Sequence, residues 1–250
     1  MEQDIKVSII TVCLNSAETI RNTIESVLAQ TYTNISYYIV DGQSSDGTPD
    51  IAESYREAFT GKGMRLFISS EKDNGIYDAM NRGIEMSDGE LTGIINSDDR
   101  YEPEAVEKMV GKYHETHFDL AFADIRMIME SGKTFIKKAR LRKYTTSRDW
   151  NHPTQFVARR VYDKYRYRCE NMSDDMDLYF RVRKAGYRIV VINEVLADFT
   201  MGGLSSSIPA DQIIPRIKRR YKIYIQNGYS RFYIFECIGF ELIKYIGAKI

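Results

Sequence analysis

The chain is poor in cysteine, proline and histidine, has no excess of either charge, and contains no apolar run long enough to span a bilayer. Its 3 cysteines, Cys13, Cys169 and Cys237, are far apart and lack metal-ligand spacing. That excludes a disulfide framework and suits a reducing compartment. Lys plus Arg and Asp plus Glu both number 35, a formal net charge of +0. A nucleic-acid binder would carry a basic excess, so no nucleic-acid partner is expected. Between Thr11 and Glu18, after the first apolar run, there is no glycine, lysine or arginine. That excludes the G-x-G-x-x-G fingerprint of dinucleotide enzymes and argues against the Gly-rich, basic phosphate loop of a nucleotidyltransferase. The charged start, Met1 to Lys6, runs straight into a strand-like segment with no secretory leader, so the expected location is the cytoplasm.

What is present is an alternation of strand and helix signals. Val7–Val12 is nearly continuous in apolar residues, the pattern of a strand covered on both faces. Ile20, Ile24, Val27 and Leu28 follow at helical spacing. Further strands are expected at Tyr37–Val40, Leu66–Ile68 and Leu91–Ile95, with helices around Ile51–Phe59 and Ile76–Met86. Such repeats imply an α/β fold with a mostly parallel sheet and helices on both faces. The second half is less regular. Helices are expected at Glu104–His117 and Asp175–Ala185, and strands at Leu120–Ala123, Thr134–Lys137 and Arg188–Ile192. A flexible loop is expected at Met201–Ser207, and everything from about Pro209 reads as helical. Residues 1–208 are thus one α/β domain, and 209–250 a helical extension.

In open parallel sheets, ligands bind beyond the carboxyl ends of the strands. Asn15, Asp41 and the pair Asp98-Asp99 fall where strands one, two and four end. Adjacent carboxylates repel unless a cation or several donors offset them. Oxygen ligands of this kind suit Mg2+ or Mn2+ shared with phosphates, or else one of the pair caps the helix after Pro103. Asp41 either accepts from a base or ribose, or forms an Asx turn with Gly42. Asn15 and Glu18 have capping-box spacing. Asp174 and Asp175 open a helix, which suits capping and equally suits a general base. His152 is read as a packed residue or a ligand-side group. Lys72, Asp73 and Asn74 read as a solvated turn.

Together these segments resemble the family 2 glycosyltransferases with the GT-A fold. The resemblance runs from Val7-Ser8-Ile9-Ile10-Thr11-Val12-Cys13-Leu14-Asn15 through Ile39-Val40-Asp41-Gly42-Gln43-Ser44-Ser45-Asp46-Gly47-Thr48. It continues with Asp73-Asn74-Gly75-Ile76-Tyr77-Asp78-Ala79-Met80-Asn81-Arg82-Gly83 and Asn96-Ser97-Asp98-Asp99. Acceptor-side blocks are Asn151-His152-Pro153-Thr154-Gln155 and Ser173-Asp174-Asp175-Met176-Asp177-Leu178, and Gly202-Gly203-Leu204-Ser205 resembles the family's flexible loop. The resemblance implies a nucleotide-diphosphate sugar donor, favouring UDP, and bacterial capsule, exopolysaccharide or O-antigen synthesis. It places Thr11, Cys13, Asn15, Glu18, Asp41, Gly42, Ser44, Gly75, Asp78, Asn81, Ser97 and Asp98 at the donor nucleotide. Asp41 would meet the base, usually uracil. Asp99, with Asp98, would hold Mn2+ or Mg2+. His152 and Gln155 would face the acceptor or phosphate. Asp175 would be the base; many members have Glu before it, where this chain has Asp174.

Transfer on this reading inverts the anomeric centre, with no covalent intermediate and no Ser or Cys nucleophile. The acceptor is expected to be a saccharide or a lipid-linked saccharide. Two other readings are a nucleotidyltransferase and a non-catalytic module that keeps the donor pocket. The C-terminal segment interleaves Tyr221, Tyr224, Phe232, Tyr233, Phe235 and Phe240 with Lys218, Arg219, Arg220, Lys222, Arg231 and Lys244. Aromatic and basic residues so mixed suit a membrane surface. Packing on the domain or a homodimer contact suits them as well.

Overall fold

The structure is a computed structural model and describes residues 4–146, 148–202 and 210–247. The order is β1 (Val7–Cys13), α1 (Ile20–Leu28), β2 (Ile35–Asp41), α2 (Thr48–Glu53), α3 (Arg56–Gly61), β3 (Arg65–Ser70), α4 (Ile76–Met86) and β4 (Leu91–Ile94). Then come β5 (Arg100–Tyr101), α5 (Ala105–Thr116), β6 (Leu120–Ile128), β7 (Thr134–Lys137), β8 (Phe156–Ala158), α6 (Arg159–Tyr162), α7 (Asp174–Lys184), β9 (Ile189–Thr200), α8 (Ile213–Gln226) and α9 (Tyr233–Gly247).

The continuous apolar strands are explained by two cores. On β1, Val7, Ile9 and Cys13 face one core; Ile10 and Val12 face the other. On β2, Ile35, Tyr37 and Ile39 alternate in the same way with Tyr38 and Val40. Side chains on a strand alternate faces, so a strand buried on both needs apolar residues at every position. The first core is closed by Ile20, Ile24 and Val27 of α1, Phe59 of α3 and Val106 and Met109 of α5. The second is closed by Met80 and Ile84 of α4, Leu178 and Phe180 of α7, and Ile223 and Tyr224 of α8. Gly83 lets α4 approach closely: a Cβ there would lie 2.5 Å from Ile10 Cγ2.

Strands run in the order β3-β2-β1-β4-β8-β6-β9-β5, with β7 paired to β6. The expected parallel arrangement holds for β3, β2, β1 and β4. Beyond β4 the sheet is mixed: β8 runs antiparallel to β4 and β6, while β6 and β9 are parallel. Several expected bounds change. The helix expected at 51–59 is two short helices, α2 and α3. The strand expected at 188–192 continues to Thr200, because a register shift leaves Asn193 and Glu194 exposed while Ala123 pairs with Ile192 and Asp124 with Val195. That interruption hides the strand from a period-2 reading.

The two C-terminal helices pack on the domain, burying Ile223, Tyr224 and Cys237, and Asn227 donates to Asp177 of α7 over 2.8 Å. The expected boundary at 208/209 and most of the loop expected at 201–207 lie outside the described residues.

Candidate active site

The parallel register brings three strand ends level: Cys13 pairs with Asp41, and Asp41 with Ser70. This edge is where an α/β sheet offers its ligand crevice. Asp41 is fully buried. Its Oδ2 accepts from Ser44 N over 2.9 Å and from Ser70 Oγ over 2.6 Å, and its Oδ1 accepts from the Ser44 hydroxyl. The Asx turn foreseen at Asp41 does not form, because the carboxylate reaches Ser44 N, three residues on, and with Ser70 it binds the 42–47 loop to β3. The Cys13 Sγ lies 3.6 Å from Asp41 Oδ1, and burial, then the Asp41 charge, pushes its thiol up out of the reactive range.

The Asn15–Glu18 capping box does not form. Helix α1 starts at Ile20 behind Thr19, with no side-chain cap. Asn15 instead takes a positive φ of 50°, and its Oδ1 accepts from Ser45 N over 3.0 Å. Its own N–H donates to Ser44 Oγ over 2.7 Å, and Ala17 N donates to Asp46 Oδ2 over 2.9 Å. The loops after β1 and β2 are thus laced together, while Glu18 is exposed. Thr11 points under the sheet, where its hydroxyl accepts from Tyr37.

The 70s loop closes the same edge. A Cβ on Gly42 would meet Asp73 Oδ2 at 2.5 Å, so a side chain there would push the Asp73 carboxylate aside. Gly75, at φ 115°, donates to Asp73 Oδ1, and Asp78 accepts from Asn74 N. Asn81 clamps the 167 loop, donating to Tyr167 O over 2.8 Å and accepting from Tyr167 N over 3.0 Å.

After β4, Ser97 donates to Ser16 Oγ over 2.9 Å, tying this turn to the first loop. Neither Asp98 nor Asp99 caps α5, whose N-cap is Glu104. Asp99 is fully buried; its Oδ1 accepts from Thr200 N over 3.1 Å and its Oδ2 has no partner. Burial, then the neighbouring Asp98 charge, holds its carboxyl well above the usual range, and burial also raises Asp98. An orphaned buried carboxylate oxygen beside a second carboxylate fits a divalent cation that completes its shell with phosphate oxygens. Among the described residues no three His, Cys, Asp or Glu side chains form a closed metal cage.

Asp174 and Asp175 face different ways. Asp174 is buried, and its Oδ2 accepts from Glu170 N over 2.7 Å. Asp175 is half-buried, and its Oδ1 accepts from Tyr77 Oη over 3.0 Å. Tyr77 stacks on Tyr167 at 5.2 Å, and the Tyr167 hydroxyl lies 3.4 Å from His152 Nε2. Burial lowers the His152 pKa, so its ring is held neutral near pH 7. Gln155 is buried, with its Oε1 unpartnered. Reading the sequence missed Ser70, Tyr77, Tyr167 and Thr200. Tyr77 lies inside a recognised block, but only the fold shows that its hydroxyl meets α7.

The description "Glycosyl transferase family 2" matches residues 8–171. The chain belongs to glycosyl transferase family 2. Within the family it is 33% identical over 124 residues to a PGL/p-HBAD biosynthesis glycosyltransferase of Mycobacterium bovis, covering 48% of this chain and 46% of that protein. It is 36% identical over 104 residues to the putative glycosyltransferase EpsH of Bacillus subtilis, covering 42% of this chain and 29% of that one. The matched part thus spans less than half the length of these curated relatives. The fold resembles S. aureus TarS in complex with UDP-GlcNAc, with a TM-score of 0.69 at 16% identity over 97% of this chain and 73% of that chain. It also resembles the mannosyltransferase PcManGT of Pyrobaculum calidifontis in complex with GDP-Man and Mn2+, with a TM-score of 0.68 at 15% identity, over 99% and 74%. This family 2 chain has the GT-A fold.

Proposed function

We propose that the protein is an inverting glycosyltransferase that moves a hexosyl or N-acetylhexosaminyl group from a UDP-sugar to a hydroxyl of a saccharide or lipid-linked saccharide. The observation that carries this reading is one continuous edge. Asp41 ends β2, Asp99 follows β4, and Tyr77, at the head of α4, holds Asp175. The UDP-GlcNAc complex of TarS supports the donor class. The relatives named PGL/p-HBAD biosynthesis glycosyltransferase and putative glycosyltransferase EpsH support the reaction class, and a role in bacterial surface polysaccharide synthesis is part of the proposal.

In this mechanism the 42–47 loop and Asp41 take the uracil base, and Asn15, Gly42, Ser44, Gly75, Asp78 and Ser97 line the donor's approach. Asp99 and Asp98 would hold Mn2+ or Mg2+, which neutralises charge on the departing diphosphate. Asp175 accepts the proton of the attacking hydroxyl at its carboxylate, oriented by Tyr77. Attack from the face opposite the leaving group inverts the anomeric carbon. His152 and Gln155 flank the acceptor side.

The protein acts in the cytoplasm on this reading, at the inner face of the membrane. Among the described residues no helix is long and apolar enough to cross a membrane. Ile214, Ile225, Phe232, Phe235 and Ile243 are exposed on α8, α9 and the turn between them, with Lys218, Lys222 and Arg231 exposed nearby. That mixture suits an anionic bilayer surface. Flotation with anionic liposomes tests the contact; a stable dimer that does not float would replace it. The enzyme reading is tested by thermal shift and nucleotide release with UDP-, GDP- and TDP-sugars. Mn2+-dependent UDP release with a raised melting temperature is expected. A nucleotide-sugar that binds without any turnover, with every acceptor tried, would leave a binding module.

A further inference from the structure

Beside Asp175 lies a group of cations that sugar transfer itself does not use. Lys137 ends β7, half-buried, and donates to Trp150 O over 3.2 Å. Its ammonium is pushed down to about 8, by burial first; the charges of Asp175 and Asp149 oppose that, and those of Arg148 and Arg220 add to it. Lys137 thus lies against the segment that carries Arg148, two residues before Trp150. Arg220, on α8, reaches the first turn of α7: its Nη1 is 3.6 Å from Met176 Sδ, one residue past Asp175. Its Nη2 donates to Glu241 over 3.1 Å, but its buried Nε has no partner. The Arg220 and Arg148 guanidiniums lie 4.1 and 5.2 Å from the Phe240 ring. Two of the nearby anions are already shared. Glu241 serves both Arg216 and Arg220, and Asp149 pairs with Arg142 at 3.4 Å. Arg220 keeps a buried N–H without an acceptor, and a planar fork with spare N–H groups is the geometry that grips phosphate oxygens.

Resting on the glycosyltransferase reading, we infer that Lys137, Arg148 and Arg220 form a phosphate-binding subsite for the acceptor. The acceptor sugar is then one linked through a phosphate or diphosphate to its carrier. The phosphate is gripped between the end of β7, the segment that carries Arg148, and α8, and the sugar hydroxyl is presented to Asp175. The same site also selects against neutral glycans, because its cations stay uncompensated when they bind.

The test uses the full chain. First, pyrophosphate binding is measured calorimetrically with UDP saturating, so that the donor's own phosphate positions are filled. The wild type is expected to bind pyrophosphate. Arg148→Ala, at the exposed rim, and Arg220→Gln are expected to weaken binding by roughly ten- to a hundredfold, the loss of one or two charge-assisted hydrogen bonds. Lys218→Ala, on the exposed face of α8, is the matched control. Pyrophosphate binding abolished by UDP, or untouched by either substitution, overturns the subsite whether or not any transfer is detected. Second, the same glycan is offered as an alkyl diphosphate ester and as a phosphate-free alkyl glycoside. The wild type is expected to prefer the ester, and that preference should fall toward one in both variants through KM. Equal losses with the two acceptors would mean a structural role and overturn the inference. Phosphatidylglycerol vesicles without acceptor form the last arm. A loss of vesicle binding in Arg148→Ala, with pyrophosphate binding intact, would assign these cations to the bilayer instead.

Discussion

The Tyr77 hydroxyl, at the head of α4, donates to Asp175 Oδ1, in the first turn of α7, over 3.0 Å. The bond joins the N-terminal turns of two helices, α4 and α7. Burial, then the Asp175 charge, holds the Tyr77 pKa well above its ordinary range, so the phenol remains a donor across the working pH range. A donor aimed at a carboxylate fixes which oxygen is left for the acceptor proton.

Tyr77→Phe should therefore lower kcat by about tenfold, the worth of one hydrogen bond to a charged group, with the donor KM little changed. Steady-state kinetics at several donor concentrations checks it. An unchanged kcat would mean that Tyr77 serves packing against Tyr167 alone.

The two adjacent aspartates should separate cleanly. Asp174→Asn keeps an acceptor for Glu170 N and relieves a buried carboxyl whose pKa burial has raised. Transfer should survive in that variant. Asp175→Asn keeps a carbonyl for Tyr77 but loses the proton acceptor, so turnover should drop by roughly 10²–10⁴-fold while donor binding persists. Turnover lost in Asp174→Asn and kept in Asp175→Asn would exchange their roles.

Much of this was legible in the sequence because strand-end positions follow from pattern alone. Val7–Val12 could be read as a doubly buried strand and Tyr37–Val40 as a second, short one, and in a parallel sheet the polar residues that end them lie at one edge. The spacing of Ile76, Met80 and Ile84 gave α4 its true bounds. What stayed hidden depends on tertiary contact. Asn15 and Glu18 have the right spacing for a cap, yet Asn15 binds the loop after β2, an alternative that local spacing does not reveal. Thr200 meets Asp99 only because β9 runs past its bulge. Lys137 looks like an ordinary strand-end lysine until the fold sets it against Trp150 O and buries its ammonium.

Asp99 gives a prediction in which stability and function move in opposite directions. Its carboxyl is raised well above the usual range, chiefly by burial. Such a group favours folding when protonated; that contribution is complete below the unfolded pKa and lost as pH rises through the folded pKa. At neutral pH an ionised Asp99 without a cation therefore costs stability. Asp99→Asn should raise the melting temperature of the metal-free protein at pH 7, with the difference shrinking toward pH 4. It should also abolish the further rise that Mn2+ and UDP give the wild type. Scanning calorimetry across pH, with and without Mn2+ and UDP, reads both effects. A variant less stable at pH 7 that still responds to Mn2+ would remove Asp99 from the metal-holding role.

Asp41 should behave in the opposite sense, because its carboxylate is fully employed. It accepts from Ser44 N, the Ser44 hydroxyl and the Ser70 hydroxyl, and nothing of it is exposed. Asp41→Ala leaves the Ser44 N–H and two hydroxyls without their acceptor and loosens the 42–47 loop from β3. One lost hydrogen bond to a charged group costs about 1.5–3 kcal/mol, so the melting temperature should fall by several degrees. The loop also carries Ser44 and Ser45, which bond to Asn15. Loosening it should therefore weaken the proposed uridine site along with the fold, and UDP should lose its thermal stabilisation even where the protein remains folded. Asp41→Asn separates the two effects. One amide oxygen can still serve Ser44 N, so most stability returns, whereas if the loop opens to bring the base to this buried side chain, the amide no longer discriminates for the N–H of uracil. UDP and TDP binding should drop together in that variant by about tenfold relative to wild type. Full UDP affinity in Asp41→Asn would show that Asp41 holds the loop and does not read the base.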